Sequence, residues 1–189
     1  MDRDTNEPSL EPGRRPESKG VPTTLSAEDL PYLEPEVDRV ELVAGSIVRQ
    51  PPPGSAHGGV SLAVGSVLRA FVRENGLGRA FGESGYVLAS DPDTVRAPDA
   101  SFVSEERLAA AGWRGPYRVG APNLAVEVAS PRDSERALAA KAGEYLAAGG
   151  RTVWVLDPER RPVTVHRPGR EPVTVGPDEV LDGDPVLPG

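Results

Sequence analysis

Asn123-Leu124-Ala125-Val126-Glu127-Val128-Ala129 is followed by Ser130-Pro131, then by a helical stretch from Ser134 to Ala148, then by Thr152-Val153-Trp154-Val155-Leu156. The first segment alternates. Leu124, Val126 and Val128 share one face of a strand, while Glu127 shares the other with Ala125 and Ala129. Pro131 stops it, Gly149-Gly150 closes the helix, and Asp157-Pro158 ends the second, uniformly apolar strand. Two core strands joined by a crossover helix place the chain in the α/β or α+β class.

The flanking segments extend this sheet. Thr94–Val103 reads as a strand, with Val95, Ala97, Asp99, Ser101 and Val103 on one face, and a further strand is expected over about Ala80–Ala89. Ahead of them, Val60, Ala63, Val64, Val67, Leu68 and Phe71 recur at helical spacing, so His57–Glu74 reads as an amphipathic helix. Arg39–Val43 and Ser46–Arg49 form a hairpin around Ala44-Gly45, and Ser26 with Asp29 caps a short helix interrupted by Pro31 and Pro35. Glu105–Ala111 reads as a short helix before a loop at Gly112–Pro116, and Pro162–His166 with Pro172–Val175 suggests a terminal hairpin. Residues 1–22 mix charge, Pro and Gly with almost no apolar content, so they are expected to be a disordered leader before one domain over 23–189. The leader has no apolar core of a secretory signal, which points to the cytoplasm.

Composition narrows the chemistry. The 189 residues include no cysteine and two histidines, His57 and His166, which excludes thiolate metal sites, disulfides and cysteine nucleophiles. A metal would be held mainly by oxygen, which suits Mg²⁺ or Mn²⁺. The apolar runs are too short for a transmembrane helix, and no Gly-x-Ser-x-Gly element supports a serine hydrolase. The formal charge of −8 does not favour an extended basic DNA-binding surface, although a carboxylate-rich nuclease site would itself add acid.

Glu127 and Asp99 each sit in a strand where an apolar residue is the structural norm. Burying a lone carboxylate costs several kcal/mol unless it is paired or bound to metal, and two brought together repel unless a cation neutralises them. The pattern is met equally by a divalent-metal site and by acids that face solvent or pair with arginines. Lys141, one of only two lysines against 19 arginines, lies on the same helix flank as Leu138 and Tyr145. It is placed either to act on an attacking water and offset phosphate charge, or to extend its amine to solvent. Glu41, Glu83 and His57 are weaker candidates, and His166 reads as structural or solvated. Arg69, Arg73, Arg96, Arg132 and Arg136 are available for phosphate contacts.

Taken in order, these elements resemble the Uma-two-type restriction endonucleases of the PD-(D/E)XK nuclease superfamily. The matching pieces are Arg39-Val40-Glu41-Leu42-Val43-Ala44-Gly45, His57, Glu83, Pro98-Asp99, Glu127-Val128-Ala129-Ser130-Pro131, Lys141 with Tyr145, and Trp154–Pro158. The resemblance implies a restriction-endonuclease-like α/β core, a central mixed sheet flanked by helices. It implies Asp99 and Glu127 as metal-binding acids, Glu41 as an additional acid near the metal, and Lys141 in the lysine role that the superfamily signature would put at Ala129; Glu83, in its Gly-flanked strand, is a further acid within reach of the same metal. It also implies Mg²⁺-dependent hydrolysis of a nucleic-acid phosphodiester by activated water; DNA is the expected polymer, and since a small nuclease cutting both strands commonly needs two sites, a homodimer is a possible assembly. Ala137 stands where many relatives carry an acid, and the sequence given stops at Leu187-Pro188-Gly189, short of their usual closing segment. These departures keep open an alternative, an inactive nuclease-fold module that binds nucleic acid or a partner protein.

Overall fold

The structure, a computed structural model, describes residues 24–33, 39–110 and 112–188. The expected leader and Pro35 lie outside them. In chain order, the elements are β1 (Val40–Val43), β2 (Ser46–Arg49), α1 (Ser55–Glu74), β3 (Gly78–Phe81), β4 (Tyr86–Ala89), β5 (Thr94–Arg96) and β6 (Ala100–Ser104). They continue with α2 (Glu105–Ala110), β7 (Trp113–Arg114), β8 (Tyr117–Val119), β9 (Leu124–Val128), α3 (Glu135–Ala147), β10 (Thr152–Leu156), β11 (Val163–His166) and β12 (Val173–Val175). The fold is α/β, with mixed sheets flanked by helices in the restriction-endonuclease-like arrangement.

The expected crossover forms as β9–α3–β10, and β9 and β10 pair in parallel with Glu127 opposite Val155. The Ser134 side chain caps α3 by accepting from the Ala137 N–H, which satisfies one of the free donors of the first turn. At the other end, Gly149 takes a positive φ of 91° that favours glycine, and Gly150 N–H closes onto the Tyr145 carbonyl. The alternation in β9 sorts its residues as expected. Leu124, Val126 and Val128 pack with Leu68 and Val72 of α1, whereas Ala125 packs with Ala142 and Tyr145 of α3. Glu127 therefore points to the α3 side, where its alanine neighbour leaves it room.

One central sheet was expected, but the described residues form two of six strands each, ordered β2-β1-β5-β4-β8-β7 and β12-β11-β10-β9-β6-β3. The difference arises where two expected strands break. Thr94–Val103 divides at Ala97-Pro98-Asp99 into β5 of the first sheet and β6 of the second, because Pro98 cannot donate to a ladder. Ala80–Ala89 divides at Gly82–Gly85 into β3 and β4, which again belong to different sheets. The two crossings are tied together by Glu83 N–H donating to the Pro98 carbonyl at 3.1 Å. Asp99 and Glu83 thus sit on the seam between the sheets.

Smaller differences have local causes. The segment after Ser26 forms only a 3₁₀ turn, Leu30–Tyr32, although Ser26 and Asp29 do bond as a capping pair. In α1 the inward row is His57, Val60, Val64, Leu68 and Val72, while Ala63 and Val67 face solvent, because the sheet covers a narrower stripe than the apolar pattern spans. The expected loop after α2 carries the short β7–β8 hairpin. Among the described residues no helix is long and apolar enough to cross a membrane.

Gly78 starts β3 at φ 144°, and a Cβ there would overlap the Val103 carbonyl oxygen across the β3–β6 pair. Gly78→Ala is expected to destabilise the fold by about 1–3 kcal/mol, measured by denaturant unfolding.

Candidate active site

Four elements converge at the α3 side of β9. Glu127 is buried, and its carboxylate is held from α3: Lys141 Nζ donates to Oε2 at 2.8 Å and Tyr145 OH donates to Oε1 at 2.7 Å. The spacing of four residues between Lys141 and Tyr145 stacks them on one face of α3, so both reach the same carboxylate. Lys141 also pairs with Oε1 of Glu41 at 3.0 Å. Glu41 comes from β1, in the other sheet. Its Oε1 also accepts from Ala97 N–H at 3.1 Å, and its Oε2 from Arg96 at 2.8 Å. Arg96 turns its remaining donors onto Glu144 of α3, at 2.6 and 2.9 Å. The result is a continuous chain of alternating charge, Glu127–Lys141–Glu41–Arg96–Glu144.

Burial sets the protonation behaviour. Removal from water pushes the Glu127 carboxyl up to about 7, and the charge of Lys141 offsets only part of that. Burial works against the Lys141 ammonium too, but Glu127 and Glu41 outweigh it and hold the pKa above that of a free lysine. Glu41 is also opposed by burial, yet Lys141 and Arg96 bring it below the usual carboxylate value. Tyr145 is raised well above an ordinary phenol by burial and by the adjacent Glu127 charge, so it stays a donor.

Asp99 meets this group through the backbone. It lies just before β6, next to the Ala100–Val126 pair, and its Oδ2 accepts from Val128 N–H at 2.8 Å. Among the described residues no hydrogen bond or ion pair joins it to Glu127 or Lys141. His57, in the first turn of α1, places Nε2 3.4 Å from Asp99 Oδ2 and is steadied on its other side by Ser61. Arg39, just ahead of β1, lies 3.7 Å from Asp99 Oδ1 and 3.4 Å from Glu83 Oε1. Asp99 Oδ1 is buried and, among the described residues, accepts no hydrogen bond.

The candidates thus form two adjoining groups, one of Glu41, Glu127 and Lys141 and one of Asp99, His57 and Glu83. Arg96 does not face solvent for phosphate contact; it is locked between Glu41 and Glu144. Arg69, Arg73, Arg132 and Arg136 are exposed, and His166 lies on β11 opposite Val153. Arg96, Glu144 and Arg39 were not read from the sequence as parts of the cluster. The parity of Thr94-Val95-Arg96, which turns Arg96 away from buried Val95, was the available signal for the first.

Among the described residues no three His, Asp or Glu side chains are arranged to hold a metal ion. The donor set is nonetheless chemically suited to one. Asp99 Oδ1 is an orphaned hard oxygen donor in a buried position. With Glu127 ionised, the carboxylates of Glu41, Glu83, Asp99, Glu127 and Glu144 exceed the permanent cations Arg39, Arg96 and Lys141 by two charges.

Comparison with known proteins agrees with this architecture. A crystal structure described as "a putative nuclease belonging to DUF820 from Anabaena variabilis ATCC 29413" superposes with a TM-score of 0.73 at 23% identity. The match covers 88% of this chain and 92% of that one, and at this identity it speaks for the fold. No curated protein matches the chain significantly. The Uma2 family model, described as "Putative restriction endonuclease", matches residues 26–189. That span takes in both sheets, the Glu127–Lys141 pair and the Asp99 crossing, and the chain belongs to the Uma2 family, within the PD-(D/E)XK nuclease-fold superfamily.

Proposed function

We propose that the protein is a metal-dependent endonuclease that hydrolyses DNA phosphodiester bonds with water, using a site formed within residues 23–189 as one domain. The observation that carries this reading is Asp99 Oδ1, a buried carboxylate oxygen with no hydrogen-bond donor among the described residues, one residue beyond the strand pair that leads to Glu127. Asp99 and Glu127 would hold Mg²⁺ or Mn²⁺, with Glu41 and Glu83 adjoining. When bound, such an ion supplies Lewis-acid polarisation of a phosphoryl oxygen and a lowered pKa for water.

The side chains have separable tasks. Lys141, which reaches both Glu127 and Glu41, is placed to stabilise charge that develops on the phosphate. Tyr145 holds Glu127 in one rotamer, and His57 steadies Asp99 from the helix side. Exposed Arg69, Arg73, Arg132 and Arg136 supply cations to the polymer backbone.

The internal pairing of Glu41, Glu127 and Lys141 supports a second reading, a nuclease-fold module without catalysis, because these acids are satisfied as they stand. Calorimetric titration with Mn²⁺ separates the two. The catalytic reading expects Mn²⁺ binding by the parent, its loss in Asp99→Asn with an unchanged circular dichroism spectrum, and cleavage of a DNA duplex at background in that variant. A parent chain that takes up no Mn²⁺ and cuts no DNA would leave the binding module.

A further inference from the structure

Two arginines serve the acidic cluster, and they are held differently. Arg96 makes charge-assisted contacts of 2.6 to 2.9 Å, and its side chain is 12% exposed. Arg39 approaches Glu83 at 3.4 Å and Asp99 at 3.7 Å, beyond the usual length of such bonds, and is 32% exposed. Its guanidinium offsets charge without satisfying the oxygen it faces, because Asp99 Oδ1 still lacks a hydrogen bond among the described residues. Arg39 ends up with one amino group towards each acid, across the seam where the chain passes from one sheet to the other.

A guanidinium does not lose its proton in the accessible pH range, so it can leave a carboxylate only by moving. Arg39 has the means. Its carbonyl is held by Gln50 N–H at 2.8 Å, but its long side chain is partly in solvent, and among the described residues its guanidinium makes no contact with an acid shorter than 3.4 Å. Arg96, mostly covered and bonded on both sides, has none of these freedoms.

We propose that Arg39 is an internal counter-cation for Asp99 and Glu83 that a divalent ion displaces, and that the freed guanidinium then binds a phosphate of the nucleic acid. This rests on the reading of Asp99 as a metal-holding acid. The competition makes the parent's metal affinity lower than its carboxylates alone would give, and the displacement couples metal uptake to backbone binding.

The test compares the parent with Arg39→Met and Arg39→Gln, two substitutions at a partly exposed position that keep the length of the stem. Without nucleic acid, both variants are expected to bind Mn²⁺ about fivefold to tenfold more tightly by calorimetry. With a short DNA duplex in Ca²⁺, both should bind more weakly, and the slope of log affinity against log salt should fall by about 1. Mn²⁺ binding that depends on Asp99 but is unchanged or weaker in both variants overturns the counter-cation role alone. A tighter Mn²⁺ site with an unaltered salt slope overturns the phosphate step. Absence of Mn²⁺ binding in the parent and both variants overturns the reading of the site itself, and this proposal with it.

Discussion

Lys141→Met is expected to lower the unfolding midpoint by on the order of 10 °C at pH 8, from a loss of about 3–5 kcal/mol. The variant removes the one ammonium that Glu127 and Glu41 share and leaves two buried carboxylates facing each other. The pH dependence gives the prediction its direction. Glu127 titrates near 7 in the folded chain, above the ordinary glutamate value of 4.5. Its contribution to stability is therefore complete below about pH 4.5 and lost as pH rises through about 7. Glu41 runs the opposite way: its lowered pKa contributes stability at neutral pH that is lost on acidification through the folded value. The penalty of Lys141→Met should thus shrink to less than about half at pH 5.5, where Glu127 is protonated and needs no counter-charge. A midpoint shift that is flat between pH 5.5 and 8 would contradict the assignment. Nuclease activity, where assayed, should fall by about 10²-fold or more in this variant.

Arg96→Met comes next in size, at about 2–4 kcal/mol by denaturant unfolding. Its guanidinium neutralises Glu41, whose side chain is 5% exposed, so loss of the arginine leaves that charge with Lys141 alone. Glu144→Gln should cost less than about 1 kcal/mol, since that carboxylate is 32% exposed and water replaces much of what it loses. Equal effects of the two substitutions would show that the Arg96–Glu144 pair, not Glu41, is what Arg96 stabilises.

Short-range patterning revealed much of this fold. The alternation in β9 assigned Glu127 to the face that α3 covers, and the spacing of Lys141 and Tyr145 put both on one helical flank. What escaped was set by tertiary geometry. Pro98 and the Gly82–Gly85 segment looked like tolerable interruptions of strands, but each is a passage from one sheet to the other. Once β5 and β6 separate, Arg96 and Asp99 no longer share a strand, and Arg96 turns to Glu41 and Glu144 while Asp99 turns to Val128 N–H. Arg39 escaped for a similar reason: its partners Glu83 and Asp99 are 44 and 60 positions away in the chain. The helix face of α1 was misjudged at Ala63 and Val67, since apolar spacing says which residues prefer burial and not how wide a surface is there to cover them.

The seam between the sheets has a consequence for when the acidic cluster exists at all. Glu41 and Arg96 come from one sheet, while Glu127 and the α3 residues Lys141 and Glu144 come from the other side, so the pairs Glu41–Lys141 and Arg96–Glu144 act as rivets through two separately built plates. Each plate must be in place before a rivet can close, and the links bridge 48 to 100 residues of sequence. Chemistry at this centre is accordingly a property of the finished assembly: a nascent or partly opened chain holds every one of its acids and bases yet has no centre.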